Sequence, residues 1–111
     1  MSVSVEGTLF YANWCGHCIK FKPEWDKLKQ KVHEMGGKFG ENKITINEYE
    51  DSKVPKDIAK IEGKDIRGYP TVKITVTLNG KKTEYEYEGK RNMNDLLNHL
   101  TKDTIKNIKK N

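Results

Sequence analysis

The chain has 111 residues, 34% of them hydrophobic and 33% charged, with a formal net charge of +5. That length suits one domain, residues 1–111, around a single modest core. No run approaches the roughly 18 apolar residues of a membrane-spanning helix. Apart from Arg67 and Arg91 every basic residue is a lysine, spread among 16 acidic residues; this is a solvated surface rather than the arginine-rich stripe of a nucleic-acid reader, so neither a nucleic-acid nor a membrane partner is expected.

The first residues, MSVSVEGTLFYANW, lack the basic-then-apolar layout of a secretory signal, and the closing IKNIKKN carries no KDEL-type retention signal. The sequence therefore names no compartment: a cytoplasmic, a virus-encoded and a truncated secretory-pathway protein all fit. Residues 8–12 (TLFYA) read as a central strand buried on both faces. From Gly16 to Met35 the pattern is helical, with Phe21, Trp25, Leu28, Val32 and Met35 on one face. Pro23 is expected to bend this helix and Gly36-Gly37 to end it.

Residues 43–47 (KITIN) read as a second strand, and 53–62 as a short helix with Pro55 in its first turn. After a loop from Ile66 to Pro70, Val72, Ile74, Val76 and Leu78 alternate with polar residues, the pattern of a strand with one buried face. Asn79-Gly80 is a type I′ hairpin signal leading into a strand over 83–87. A last helix is expected from Asn92 to Ile108, with Met93, Leu96, Leu97, Leu100 and Ile108 toward the core. The order implies an α/β fold: a minimal four-stranded mixed sheet flanked by three helices, with a parallel crossover in its first half and antiparallel strands in its second.

The only two cysteines lie in Trp14-Cys15-Gly16-His17-Cys18, where the first strand gives way to the first helix. Free N–H groups and the helix dipole favour a thiolate there, so the Cys15 pKa should fall below the usual thiol value of about 8.5. Cys18, one turn on, is close enough to form a disulfide. His17 adds an imidazole that donates a hydrogen bond or carries charge, and a stabilised thiolate makes the disulfide a better oxidant. Zinc needs four ligands; this pair supplies two, and His33 and His99 lack finger spacing. A structural staple would close a four-residue loop worth only about 2 kcal/mol. Haem attachment requires His directly after the second cysteine, where Ile19 stands. Redox exchange is the leading reading, with no metal and no organic cofactor.

FYANWCGHC, Pro23-Glu24-Trp25, IRGYPTVKI and YEGKR together resemble a thioredoxin-fold domain of the protein disulfide isomerase type, over about Thr8 to Leu100. The resemblance implies that Cys15 is the nucleophile and Cys18 the resolving cysteine, with Gly16 and His17 between them. Trp14 matches the flanking aromatic. Pro70 matches a cis-proline facing the disulfide, with Tyr69 before it, where an extended substrate segment pairs. Arg91 matches an arginine that stabilises the resolving thiolate. On the residues alone, Pro70 is an ordinary trans loop proline and Arg91 an exposed cation.

Two departures stand out. The family's buried carboxylate, six residues before the first cysteine, is here Leu9, and its lysine partner aligns loosely with Thr45. The expectation is proton transfer through water or His17, with slow release of mixed disulfides. The family's first strand and helix are also absent, giving a minimal core in which the edge of residues 43–47 is exposed and able to pair with another copy of an otherwise monomeric chain. The expected activity is thiol–disulfide exchange on cysteine-containing protein substrates, with a redox partner that recycles the dithiol. The competing readings are a thioredoxin-like reductant, which His17 disfavours, a non-catalytic binding module for unfolded chains using the Trp14, Tyr69 and Pro70 rim, and a basic nucleic-acid module.

Overall fold

Val5, Leu9, Val72 and Ile74 alternate with polar residues along two neighbouring strands, and that alternation sets which sheet face receives the helices. The computed structural model describes residues 3–106. Strand β1 (Ser4–Tyr11) leads into helix α1 (Gly16–Glu34), followed by β2 (Lys38–Phe39) and β3 (Asn42–Glu50). A small hairpin of β4 (Lys60–Ile61) and β5 (Lys64–Asp65) comes next, then β6 (Thr71–Leu78), β7 (Lys81–Glu86) and α2 (Met93–Asn98). The main sheet has the order β2-β3-β1-β6-β7, with β1 parallel to β3 and antiparallel to β6. No helix among the described residues is long and apolar enough to cross a membrane.

Helix α1 buries Phe21, Trp25, Leu28 and Val32 against Val5, Leu9, Ile44, Val72 and Ile74; α2 adds Leu96, and the turn that follows it adds Leu100, to the same core. Each such side chain contributes about 1.5–3 kcal/mol on burial. Phe21 meets Trp25 edge-on, with centroids 5.9 Å apart. The helix runs through Pro23 and stops where Gly36 and Gly37 adopt φ of 75° and 71°. Asn79 and Gly80, at φ 53° and 80°, form the expected hairpin turn.

The sheet carries the four expected strands plus a fifth, β2, which two sequence cues produce together. The glycine pair releases the chain from α1, and Gly40 at φ 64° reverses it onto β3. The β3 edge, expected to be exposed over 43–47, is thus covered at Asn42 and Lys43, and Ile44 N–H donates to Gly37 O at 2.8 Å. From Thr45 onward no described strand pairs with that edge.

The helix expected over 53–62 does not form, which leaves two α-helices, not three, among the described residues. Ile58 and Ala59 both donate to Pro55 O, making a single turn, and the chain then reverses at Glu62 and Gly63, both with positive φ. The competing bonds are tertiary: Glu62 N–H donates to Glu84 Oε1 at 2.9 Å, and Lys73 Nζ donates to Ile58 O at 3.3 Å. Lys73 and Thr8 sit opposite each other on the sheet face away from α1.

Asn92 caps α2 by accepting from Asp95 N–H at 2.8 Å. The helix continues into a π-helical turn, His99–Asp103, with Thr101 and Thr104 donating to the carbonyls of Leu97 and Leu100. Ile108, the expected last core residue, lies outside the described residues.

Candidate active site

Cys15 is the N-cap of α1, with an extended backbone at φ −92° and ψ 115°. Its sulfur accepts from the Cys18 backbone N–H at 3.3 Å and donates to Tyr69 O at 3.5 Å. Both cysteines are free thiols and both are buried. They form a small cluster with Ala12, against which Tyr11 and Tyr69 pack.

The two sulfurs differ electrostatically. Hydrogen bonding from the Cys18 thiol lowers the Cys15 pKa below 9.0, against the opposing effect of burial, and the N–H groups of Cys18 and His17 add to the lowering. Burial first, and then its bond to Cys15, push Cys18 up to about 11, while the Ala12 N–H works the other way. The Arg91 charge favours both thiolates although Arg91 itself is exposed. It is carried on the loop after β7, which Tyr87 holds by donating to Lys90 O at 2.7 Å. Gly89 makes room for that ring: a Cβ there would lie 2.6 Å from the Tyr87 hydroxyl.

The other expected site residues surround the pair. The Tyr69–Pro70 peptide is cis, and Thr71 Oγ1 donates to Gly68 O across the loop at 2.7 Å. Trp14 is 73% exposed and meets Tyr69 edge-on at 5.9 Å. Gly16 and His17 are exposed on the first turn; a Cβ on Gly16 would meet nothing within 4 Å. The influence of His17 on Cys15 passes through its backbone N–H.

Beneath the site Leu9 is 1% exposed, among the apolar side chains of the core. The register corrects its expected neighbour: Thr45 lies across from Glu6, and the β3 residue beside Leu9 is Glu48. The parallel offset between β1 and β3 is set by the crossover through α1, which the local sequence does not encode. The Glu48 carboxylate turns toward α1, held by Lys22 Nζ and Lys29 Nζ, each at 2.7 Å.

Sequence reasoning also missed Asp51. Its Oδ2 accepts from Trp14 Nε1 at 3.1 Å and anchors the exposed indole. Hydrogen bonding from Glu50 holds the Asp51 pKa below 3.8, and the Trp14 N–H lowers it further against burial. The bond therefore persists above that lowered value and is lost as pH falls through it. In a Trp25→Phe background, where Trp14 is the sole tryptophan, its emission is expected to titrate with a midpoint below 3.8 and not to titrate in Asp51→Asn. A transition that survives Asp51→Asn contradicts the assignment. Trp25 Nε1 is buried without a hydrogen-bond partner, so phenylalanine removes an unsatisfied donor, which partly offsets the void left by the smaller ring in the core.

Among the described residues no group of three or more His, Cys, Asp or Glu side chains converges as a metal site. The chemistry on offer is that of two unequal thiols next to a cis-proline loop.

The Thioredoxin family model matches residues 7–102. The chain is 36% identical over 92 residues to the probable protein disulfide-isomerase A4 of Caenorhabditis elegans, covering 83% of this chain and 13% of that protein. It is 34% identical over 88 residues to human protein disulfide-isomerase TMX3, covering 79% of this chain and 17% of that one. The chain thus spans less than a fifth of either relative. The first two thioredoxin domains of Naumovozyma dairenensis Eps1p share its fold, with a TM-score of 0.66 at 21% identity, over 88% of this chain and 34% of theirs. With the family model matching most of its length, and the CGHC pair at the start of α1 facing a cis-proline, the chain belongs to the thioredoxin family.

Proposed function

We propose that residues 1–111 act as one domain, a thiol–disulfide oxidoreductase that forms or rearranges disulfides in cysteine-containing proteins. The observation that carries this reading is the inequality of the two thiols, with Cys15 lowered and Cys18 raised to about 11 on adjoining positions of one helix end. Cys15 is the attacking thiolate in the reduced protein and the sulfur attacked by a substrate thiolate in the oxidised one. A mixed disulfide forms, and Cys18 or a second substrate thiol displaces it. Each step makes one S–S bond and breaks another, and the electrons left on the protein pass to a redox partner. Trp14, Tyr69 and Pro70 hold the substrate segment; Gly16 keeps the approach to Cys15 open; the His17 backbone N–H favours the Cys15 thiolate and the Arg91 charge favours both anionic sulfurs. No organic cofactor or metal enters the cycle.

The chain works as a monomer in this reading, and the β3 edge from Thr45 onward is where a second copy would pair. The opposite direction of flow, protein-disulfide reduction, uses the same residues, and a reduction potential of about −270 mV, that of thioredoxin, favours it. Trapping tests the main reading: Cys18→Ser is expected to accumulate mixed disulfides with client proteins, all linked through Cys15 and all released by reductant. If clients bind the protein but none is covalently attached, the molecule is a binding module instead.

A further inference from the structure

With Leu9 beneath the site, a thiol raised to about 11 has, among the described residues, no buried carboxylate to take its proton. The structure offers another acceptor. An open cleft of about 260 Å³ runs beside α1, lined by Tyr11, Asn13, Cys18, Ile19, Lys22 and Asp26 among others. At about 30 Å³ per water it has room for several, and Asp26 is the one carboxylate in its lining. Cys18, Lys22 and Asp26 follow at intervals of four along the helix, about 6 Å of rise per step. Lys22 Nζ bonds Asp26 Oδ1 at 2.9 Å and Glu48 Oε2 at 2.7 Å, and lies 5.3 Å from the centre of the Tyr11 ring. Burial disfavours the Lys22 ammonium, but its bonds to Glu48 and Asp26 outweigh this and its pKa is raised, so it serves as a fixed cation and not as a base. Glu48 already holds two lysines. His17 is not part of the cleft lining.

We propose that Asp26, positioned by Lys22, receives the proton of Cys18 through water in this cleft when a mixed disulfide on Cys15 is resolved. The proposal rests on the oxidoreductase reading above and adds the proton route to it. The Cys18 S–H gives its proton to a water, and a chain of waters along the cleft passes one on to the Asp26 carboxylate. The Cys18 thiolate then attacks Cys15 Sγ, the bond between Cys15 and the substrate breaks, and the substrate leaves as a thiolate that takes a proton from Asp26 or solvent. One disulfide replaces another, so no external oxidant or reductant is consumed. The acid–base group has moved from under the sheet to the flank of the helix.

The test is stopped-flow kinetics of the reduced protein with a dye-labelled peptide disulfide, resolving formation of the mixed disulfide from release across a pH series. In Asp26→Asn the ratio of release to formation is expected to fall on the order of tenfold or more near neutral pH. Its release rate should then climb roughly tenfold per pH unit, as hydroxide replaces the lost acceptor. Asp26→Glu should restore both the ratio and the wild-type profile, which a merely structural role for Asp26 would not require. A wild-type ratio with a wild-type pH profile in Asp26→Asn overturns the proposal. Absence of the formation phase in the wild-type protein overturns it together with the oxidoreductase reading, and the missing phase tells the two failures apart.

Discussion

Cys15→Ser is expected to reduce thiol–disulfide exchange more than about a thousandfold, because a serine hydroxyl at neutral pH supplies no anion that attacks sulfur. Cys18→Ser should still react once at Cys15 and then stall. The two thiols should also separate by pH. Alkylation of the reduced protein is expected to proceed in two stages, the first at Cys15 with a midpoint below 9.0 and the second at Cys18 near 11. Arg91→Ala should move both midpoints upward, since its charge favours both thiolates. Coincident midpoints near 9.0 would remove the physical basis for giving the cysteines different roles. Stability follows the same linkage. The lowered Cys15 pKa adds stability to the reduced fold as pH climbs from that value toward 9.0, whereas the raised Cys18 pKa withdraws stability as pH climbs from 9.0 toward about 11. Oxidation removes both thiols, so this pH dependence should vanish in the disulfide form.

The features that set up this asymmetry were legible because they are local. Phe21, Trp25, Leu28 and Val32 mark the buried face of α1, and the cysteine pair sits where that pattern takes over from the β1 run, with Cys15 as the N-cap. Asn79-Gly80 encodes its turn by backbone preference alone. The cis peptide at Pro70 was not legible in that way; it was expected through the family resemblance and is present. What the residues did not disclose depends on distant partners. Val54, Ile58 and Ile61 share helical spacing, yet bonds from Glu84 and Lys73 to this segment favour the β4–β5 hairpin; Gly63 after Glu62 was the available warning of a reversal. The bond from Trp14 to Asp51 and the bridge from Lys22 to Glu48 join residues 37 and 26 positions apart. Neither is written in the spacing of either partner. Thr45 was misplaced for the same reason: the residue beside Leu9 is Glu48, three positions on, and the register of a parallel pair is set by the crossover rather than by either strand's own pattern.

Leu9→Glu is expected to speed release of mixed disulfides while costing roughly 3–5 kcal/mol of stability at neutral pH, the range for an unpaired charge in a core. Position 9 lies among Phe21, Trp25 and Val72, and the side chain beside it on β3 is the Glu48 carboxylate, a like charge. Lys22 and Lys29, the cations that α1 brings to that carboxylate, are already engaged by it. A glutamate introduced there has its pKa raised by burial and by Glu48, so its penalty grows as pH rises above the ordinary glutamate value of about 4.3. Denaturant melts should therefore show Leu9→Glu closest to wild type in acid and furthest from it at neutral pH, whereas Leu9→Gln should be nearly pH-independent. Domains of this size hold about 5–15 kcal/mol in all, so release is measured at a pH where the melts show Leu9→Glu still folded. If release in Leu9→Glu is no faster than in the wild type, a carboxylate under the sheet is not what limits this site. The combination with Asp26→Asn is more telling. Once the introduced carboxylate takes the Cys18 proton directly, the water route past Lys22 carries no flux. The Asp26→Asn change that slows the natural protein should then leave the Leu9→Glu protein unslowed.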